Sequence, residues 1–145
     1  MHIAPFNNRN KAIVDINDDL VPLTYFNIVK LTAGERFHYK VSGYETCIVP
    51  ATGTIDVEVV GQTYEAVGNR KVDVWGGEPE AVYVPVGIEA KLTCLTQDTE
   101  VFIAGAKYDK VITRSFAESK NFFHICNIII VMLFLKLTSY LFSIS

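Results

Sequence analysis

An all-β fold, a sandwich or a double-sheet jelly roll, is predicted by three features of the chain up to residue 106. Apolar and polar residues alternate with a period of two in run after run. Turn signals separate the runs at short, regular spacing, at Gly43, Gly53, Gly68, Gly76-Gly77, Gly87 and Gln97-Asp98. No stretch holds a 3.6-residue period over three turns. About eight short strands spaced this way bury their inward Val, Ile, Leu and Phe in one core.

The strands follow in order. In "LTYFNIVKL" (23–31), Thr24, Phe26 and Ile28 alternate with Tyr25, Asn27 and Val29. On the same alternation His38 shares a face with Arg36 and Lys40, opposite Phe37 and Tyr39. "ETCIVP" (45–50) is a short apolar strand, and "TGTIDVEVV" (52–60) sets Ile55, Val57 and Val59 against Asp56 and Glu58. Gly61-Gln62 turns the chain into "TYEAV" (63–67), a hairpin. "RKVDVW" (70–75), "EAVYVP" (80–85), "AKLTCLT" (90–96) and "EVFIAGA" (100–106) complete the set.

The chain of 145 residues has room for one domain with a sizeable core. Its 13 basic and 16 acidic residues give a net charge of −3, which offers no footprint for a phosphate backbone and argues against nucleic-acid binding. Cys47, Cys94 and Cys126 are far apart, as expected of reduced thiols in a cytoplasmic protein. Cys94 alternates with Ala90 and Leu92 and reads as a small buried hydrophobe. The opening "MHIAPFNNRNK" has no apolar segment behind its charges, so no signal peptide is expected.

Composition changes near residue 118. Every Gly, Pro and acidic residue lies at or before that position, and 121–145 carry one charge, Lys136. The expected organisation is a β-domain over 1–118 and an apolar tail over 119–145. As a helix, Phe122–Phe142 would span about 32 Å, enough for a bilayer. Lys107, Lys110, Arg114 and Lys120 precede it and would keep the β-domain cytoplasmic. Three readings of the tail stand: a product of truncation or a frame error, a membrane anchor through 122–142, or a helix that packs on the domain. The first is favoured because Phe, Ile, Leu, Asn, Lys and Tyr are what A/T-rich DNA yields out of frame.

Pro85 and Gly87, at the tip of the strand 80–85, resemble the Pro-x-Gly corner of a cupin barrel, after which a metal-binding histidine is expected at position 90. That residue is Ala90. In the first cupin motif, "GERFHYKVSGYETCIVPATG" (34–53), Gly34, Glu45 and Gly53 stand near their expected places, but the histidine positions fall at about Lys40 and Ser42. One carboxylate without imidazoles does not hold a first-row metal competitively, so no metal is expected in this chain. Glu45, between Tyr44 and Thr46, could point into the barrel as an acid or base, or serve as a hydrogen-bonded structural glutamate. Lys40 and Glu45 are the two candidates for a substrate pocket. His38, His2 and His124 have no partner ligand in register and read as solvated side chains. Arg70-Lys71 could clamp a sugar carboxylate, yet reads more simply as a solvated edge.

Together these residues resemble the N-terminal half of the 5-deoxy-glucuronate isomerases of myo-inositol breakdown. The resemblance is carried by "LTAGERF", Glu45 with "CIVPATGTIDVEV", and "GNRKVDVWGGEPEAVYVPVG". In the last stretch Gly68, Arg70, Val74, Pro79 and Val82 to Pro85 match in order, with Trp75 where phenylalanine is usual. The resemblance covers about residues 10 to 110. It implies a two-barrel protein about twice this length, an aldose–ketose isomerisation, and a divalent metal held by the second barrel. No catalytic residue carries over. Two functions follow: a first barrel unable to isomerise alone, or a metal-free cupin acting as a binding or assembly module. The expected partners are a sugar-acid ligand and, in an oligomer, further copies of the chain; a membrane is one only if the tail is an anchor.

Overall fold

The computed structural model describes residues 10–108, and the tail expected over 119–145 lies outside them. Among these residues nine strands run β1 (Ala12–Val14), β2 (Thr24–Thr32), β3 (Arg36–Lys40), β4 (Tyr44–Thr52), β5 (Ile55–Val59), β6 (Gln62–Val67), β7 (Val82–Val84), β8 (Glu89–Cys94) and β9 (Asp98–Lys107). They form two antiparallel sheets, one of five strands in the order β1-β2-β9-β4-β7 and one of four in the order β3-β8-β5-β6. This is the double-sheet jelly roll that the alternation predicts. No helix occurs among the described residues, so none there is long and apolar enough to cross a membrane.

Each sheet turns one face inward. Val29, Leu31, Val101, Ile103 and Ile48 of the larger sheet meet Ile55, Val57, Val59, Ala90, Leu92 and Cys94 of the smaller. Full burial of a Val, Leu or Ile stabilises the fold by about 1.5–3 kcal/mol, so this seam dominates the energetics. The outward faces differ in kind. On the smaller sheet Arg36, His38 and Lys40 are exposed. Lys91 there bonds Glu58 at 3.0 Å, an exposed pair that contributes little. On the larger sheet Phe26 and Phe102 pack ring to ring at 6.0 Å, and Cys47, Val49 and Ala104 are buried although they point away from the core. Its central strands are therefore apolar on both faces.

Three details depart from the sequence reading. The run 52–60 is two strands, because Gly53 (φ +78) bends the chain between β4 and β5. The hairpin turns on Val60-Gly61, one residue earlier than expected; both φ values are positive (54 and 74), as a type I′ turn requires. "RKVDVW" is not a strand but part of the loop 68–81. Asp73 turns that backbone on itself, its Oδ1 accepting from Trp75 N at 2.9 Å, and the Arg70 carbonyl is taken by Gly53 N at 2.7 Å. Arg70-Lys71 accordingly lies in a loop, not on a strand edge. The short β1 carries too few residues for an alternation to show.

Candidate functional site

The inner polar groups gather at one level of the barrel. Alternation on β2 sends Tyr25 and Asn27 inward, β4 sends Tyr44 and Thr46, and β3 sends Tyr39. Pairing then sets them side by side: Tyr25 lies opposite Gly105, which lies opposite Thr46. On the facing sheet Tyr39 lies opposite Ala90 and Ala90 opposite Val59. Gly105 makes this row possible. A Cβ there would stand 2.9 Å from Thr46 Cγ2 and 3.2 Å from Tyr25 Cβ.

The Tyr39 and Thr46 hydroxyls share a 2.7 Å hydrogen bond that ties the two sheets across the core. The Tyr44 phenol donates to Pro22 O at 2.7 Å and accepts from Asn17 N at 3.0 Å, clamping the segment between β1 and β2. Asn27 is 2% exposed; its Nδ2 donates to Asn10 O at 3.4 Å, and its Oδ1 has no partner among the described residues. Burial pushes the phenols of Tyr39 and Tyr25 above the ordinary tyrosine value of 10.0, with the Thr46 hydroxyl and the Asn27 side chain acting in the opposite direction. Both phenols are neutral at pH 7.

The two pocket candidates are not brought together. Lys40 ends β3 with its side chain exposed on the outer face of the smaller sheet, opposite Glu89. Glu45 leaves β4 on the outer face of the larger sheet, half-buried, where its Oε2 accepts from the Tyr83 phenol at 2.7 Å. Glu45 therefore does not point into the barrel. The neighbouring Tyr44 and Thr46 occupy the inward side, and the pleat leaves Glu45 the other. Tyr83 is pushed well above its ordinary value, first by burial and then by the bond and charge of Glu45. His38 is exposed and lies opposite Lys91, and Cys94 is buried beside Ala90 and Leu92, both as the alternation predicts.

The positions counted as ligand places need the same correction. Lys40 and Ser42 are exposed, and the first-motif side chains that enter the barrel are Tyr39 and Val41, with Thr46 beyond them and Ala90 facing in from β8. A shift of one residue moves every side chain to the other face. The donors these positions offer are a phenol and an aliphatic hydroxyl, already spent on each other. That set does not fit a divalent first-row metal, which needs imidazole, thiolate or carboxylate ligands. Among the described residues no three His, Cys, Asp or Glu come together elsewhere. A shallow depression of about 240 Å³ lies on the surface beside Glu58, Val60, Ile88 and Lys91.

A double-sheet jelly roll with a Pro-x-Gly corner at Pro85–Gly87 defines a cupin barrel. The comparisons specify it further. The model of the KduI/IolB family matches residues 2–122, so the chain belongs to that family, which includes 5-deoxy-glucuronate isomerase. An IolB-like protein from Salmonella typhimurium LT2 is 20% identical with a TM-score of 0.59, over 72% of this chain and 41% of that one. A cupin protein from Bacteroides fragilis is 11% identical with a TM-score of 0.50, over 82% of this chain and 92% of that one. At such identities these two show the fold alone. The chain spans 41% of the length of the IolB-like protein. No curated protein matches it.

Proposed function

We propose that this barrel is the metal-free first half of a cytoplasmic two-barrel isomerase interconverting 5-deoxy-glucuronate and 5-dehydro-2-deoxy-gluconate, and that it does not catalyse the reaction alone. Membership of the KduI/IolB family supports the reaction, and the 41% coverage of the longer relative supports the half. The observation that carries the inert role is the Tyr39–Thr46 bond at the inward positions of the first motif.

The reaction moves a proton between adjacent carbons. At neutral pH that needs a Lewis acid or a base whose pKa lies near 7. The inward phenols are held protonated by burial, and the half-buried Glu45 is turned to the outside. The barrel thus supplies shape and packing. Metal-dependent chemistry belongs to the second barrel of a complete family member.

An isomerase assay on the purified full chain tests this reading. No turnover of 5-deoxy-glucuronate above background is expected, in a preparation from a host lacking its own isomerase. Turnover would refute it.

A further inference from the structure

We propose that the side chain of Asn10 locks the free edge of β2, and so keeps a second copy of this chain from adding to the larger sheet there. β1 pairs with β2 only at Phe26 and Asn27. Among the described residues, 28–32 therefore have β9 on one side and no strand on the other. A row of unpaired N–H and C=O groups is a template for another strand.

The lock is a substitute peptide. Lys30 N donates to Asn10 Oδ1 at 2.8 Å, and Asn10 Nδ2 donates to Lys30 O at 3.0 Å. Two opposed residues of an antiparallel ladder exchange this same pair of bonds. The planar carboxamide thus fills the rung that an added strand would use. At the next rung Thr32 N donates to Glu35 Oε2 at 3.0 Å. Asn10 is tied from the core side as well: Asn27, 2% exposed, donates Nδ2 to Asn10 O at 3.4 Å. The backbone of Asn10 has φ 54, so the extended path of β1 ends there and the side chain, not the main chain, meets Lys30. Asparagine tolerates that conformation and carries both a donor and an acceptor, which neither Asp nor Gly supplies.

The other outer strands are closed by other means. β7 is three residues long, and β3 displays Arg36, His38 and Lys40. In β6 the register against β5 shifts, and Ala66 N, at φ 53, donates to Asp56 Oδ1 at 2.9 Å. Short length, charge and irregular pairing each discourage strand addition. At β2 a side chain stands in for a whole missing rung. With the lock open, two copies meet antiparallel about a two-fold axis at Lys30, and each gives the other the two bonds that Asn10 now makes. Lys30 then faces its own counterpart, but it is already paired with Glu100 at 3.2 Å, which lowers the repulsion.

Asn10→Ala opens the edge, and Asn10→Asp removes only the donor to Lys30 O. Circular dichroism of each full-length variant is checked first. Amide hydrogen exchange is then read at a concentration where the chain does not associate, and sedimentation follows association as concentration rises. In N10A the Lys30 amide should exchange about tenfold or more faster than in the parent. Val29 and Leu31, whose amides face β9, should be unchanged. N10D should fall between the two. Self-association of N10A should tighten about tenfold or more over the parent. Adding Lys30→Pro should abolish that gain, because proline has no N–H for the ladder. Should N10A lose its circular dichroism, N10D supports the same two readings. Unchanged exchange at Lys30 would overturn the lock. Faster exchange without tighter association would overturn the exclusion of a second copy, and association that persists in N10A/K30P would do so by placing the contact elsewhere.

Discussion

Replacing Tyr39 by Phe removes one hydroxyl from the bond that crosses the core, and leaves Thr46 Oγ1 buried without its 2.7 Å partner. Thr46 is 3% exposed, so water does not substitute freely. Leaving a buried polar group unsatisfied costs about 1–3 kcal/mol. The reciprocal change, Thr46→Val, keeps the shape and strands the Tyr39 phenol at a similar cost. The double variant Y39F/T46V removes both groups and should return close to the parent, within about 1 kcal/mol, because no polar atom is then stranded. Urea unfolding of all four proteins, followed by far-UV circular dichroism, closes the cycle. In a domain of this size about 1 kcal/mol moves Tm by 4–8 °C, so each single variant should melt visibly early. Single variants that lose less than about 0.5 kcal/mol, or a double variant that loses the sum of the two, would refute the idea that this bond ties the sheets.

Three further outcomes follow from the backbone and the phenols. Val60→Asn should stabilise by about 1 kcal/mol in the same unfolding assay, since a β-branched residue at φ 54 is strained and Val60 gives up little burial at 65% exposed. Gly53→Ala should destabilise by about 3 kcal/mol or more, or abolish soluble expression: the turn has φ +78, and a Cβ would press on Thr99 Oγ1 and stand 2.9 Å from Asp98 O. Stability should hold below pH 10 and fall as pH rises beyond it, because burial raises Tyr39, Tyr25 and Tyr83 above the unfolded value of 10.0 and unfolding then releases protons. A flat profile from pH 9 to 11.5 in chemical denaturation would contradict that burial.

The strands were legible because most of them are half-buried, and half-burial writes a period of two into the residues. Ile55, Val57 and Val59 against Asp56 and Glu58 show it plainly, as do Tyr25, Asn27 and Val29. β4 escaped the same treatment. Cys47 and Val49 are buried on the outer face and Ile48 on the inner, so alternation vanishes and the direction of Glu45 cannot be read from its neighbours. The misplaced ligand positions have another cause. Counting residues from Gly34 selects Lys40 and Ser42, whereas the pleat decides which side chains enter the barrel. The alternation of His38 with Phe37 and Tyr39 already placed Lys40 outside, and that signal outweighs a spacing rule. "RKVDVW" misled in the opposite sense, since Val72 and Val74 alternate with charges but find no ladder to join. The inner polar groups had a faint signature: Tyr25 and Asn27 share a face with Val29 and Leu31, and Tyr39 with Phe37.

The inert role of the barrel rests on what it holds at the level of Tyr39, Val41, Thr46 and Ala90. Metal content of the full chain, measured by elemental analysis after exposure to zinc, manganese and iron(II) and then dialysis, tests it most directly. Well below one equivalent of each metal is expected, with no metal-dependent rise in Tm. About one equivalent retained by the parent chain and lost in Y39F/T46V would contradict it.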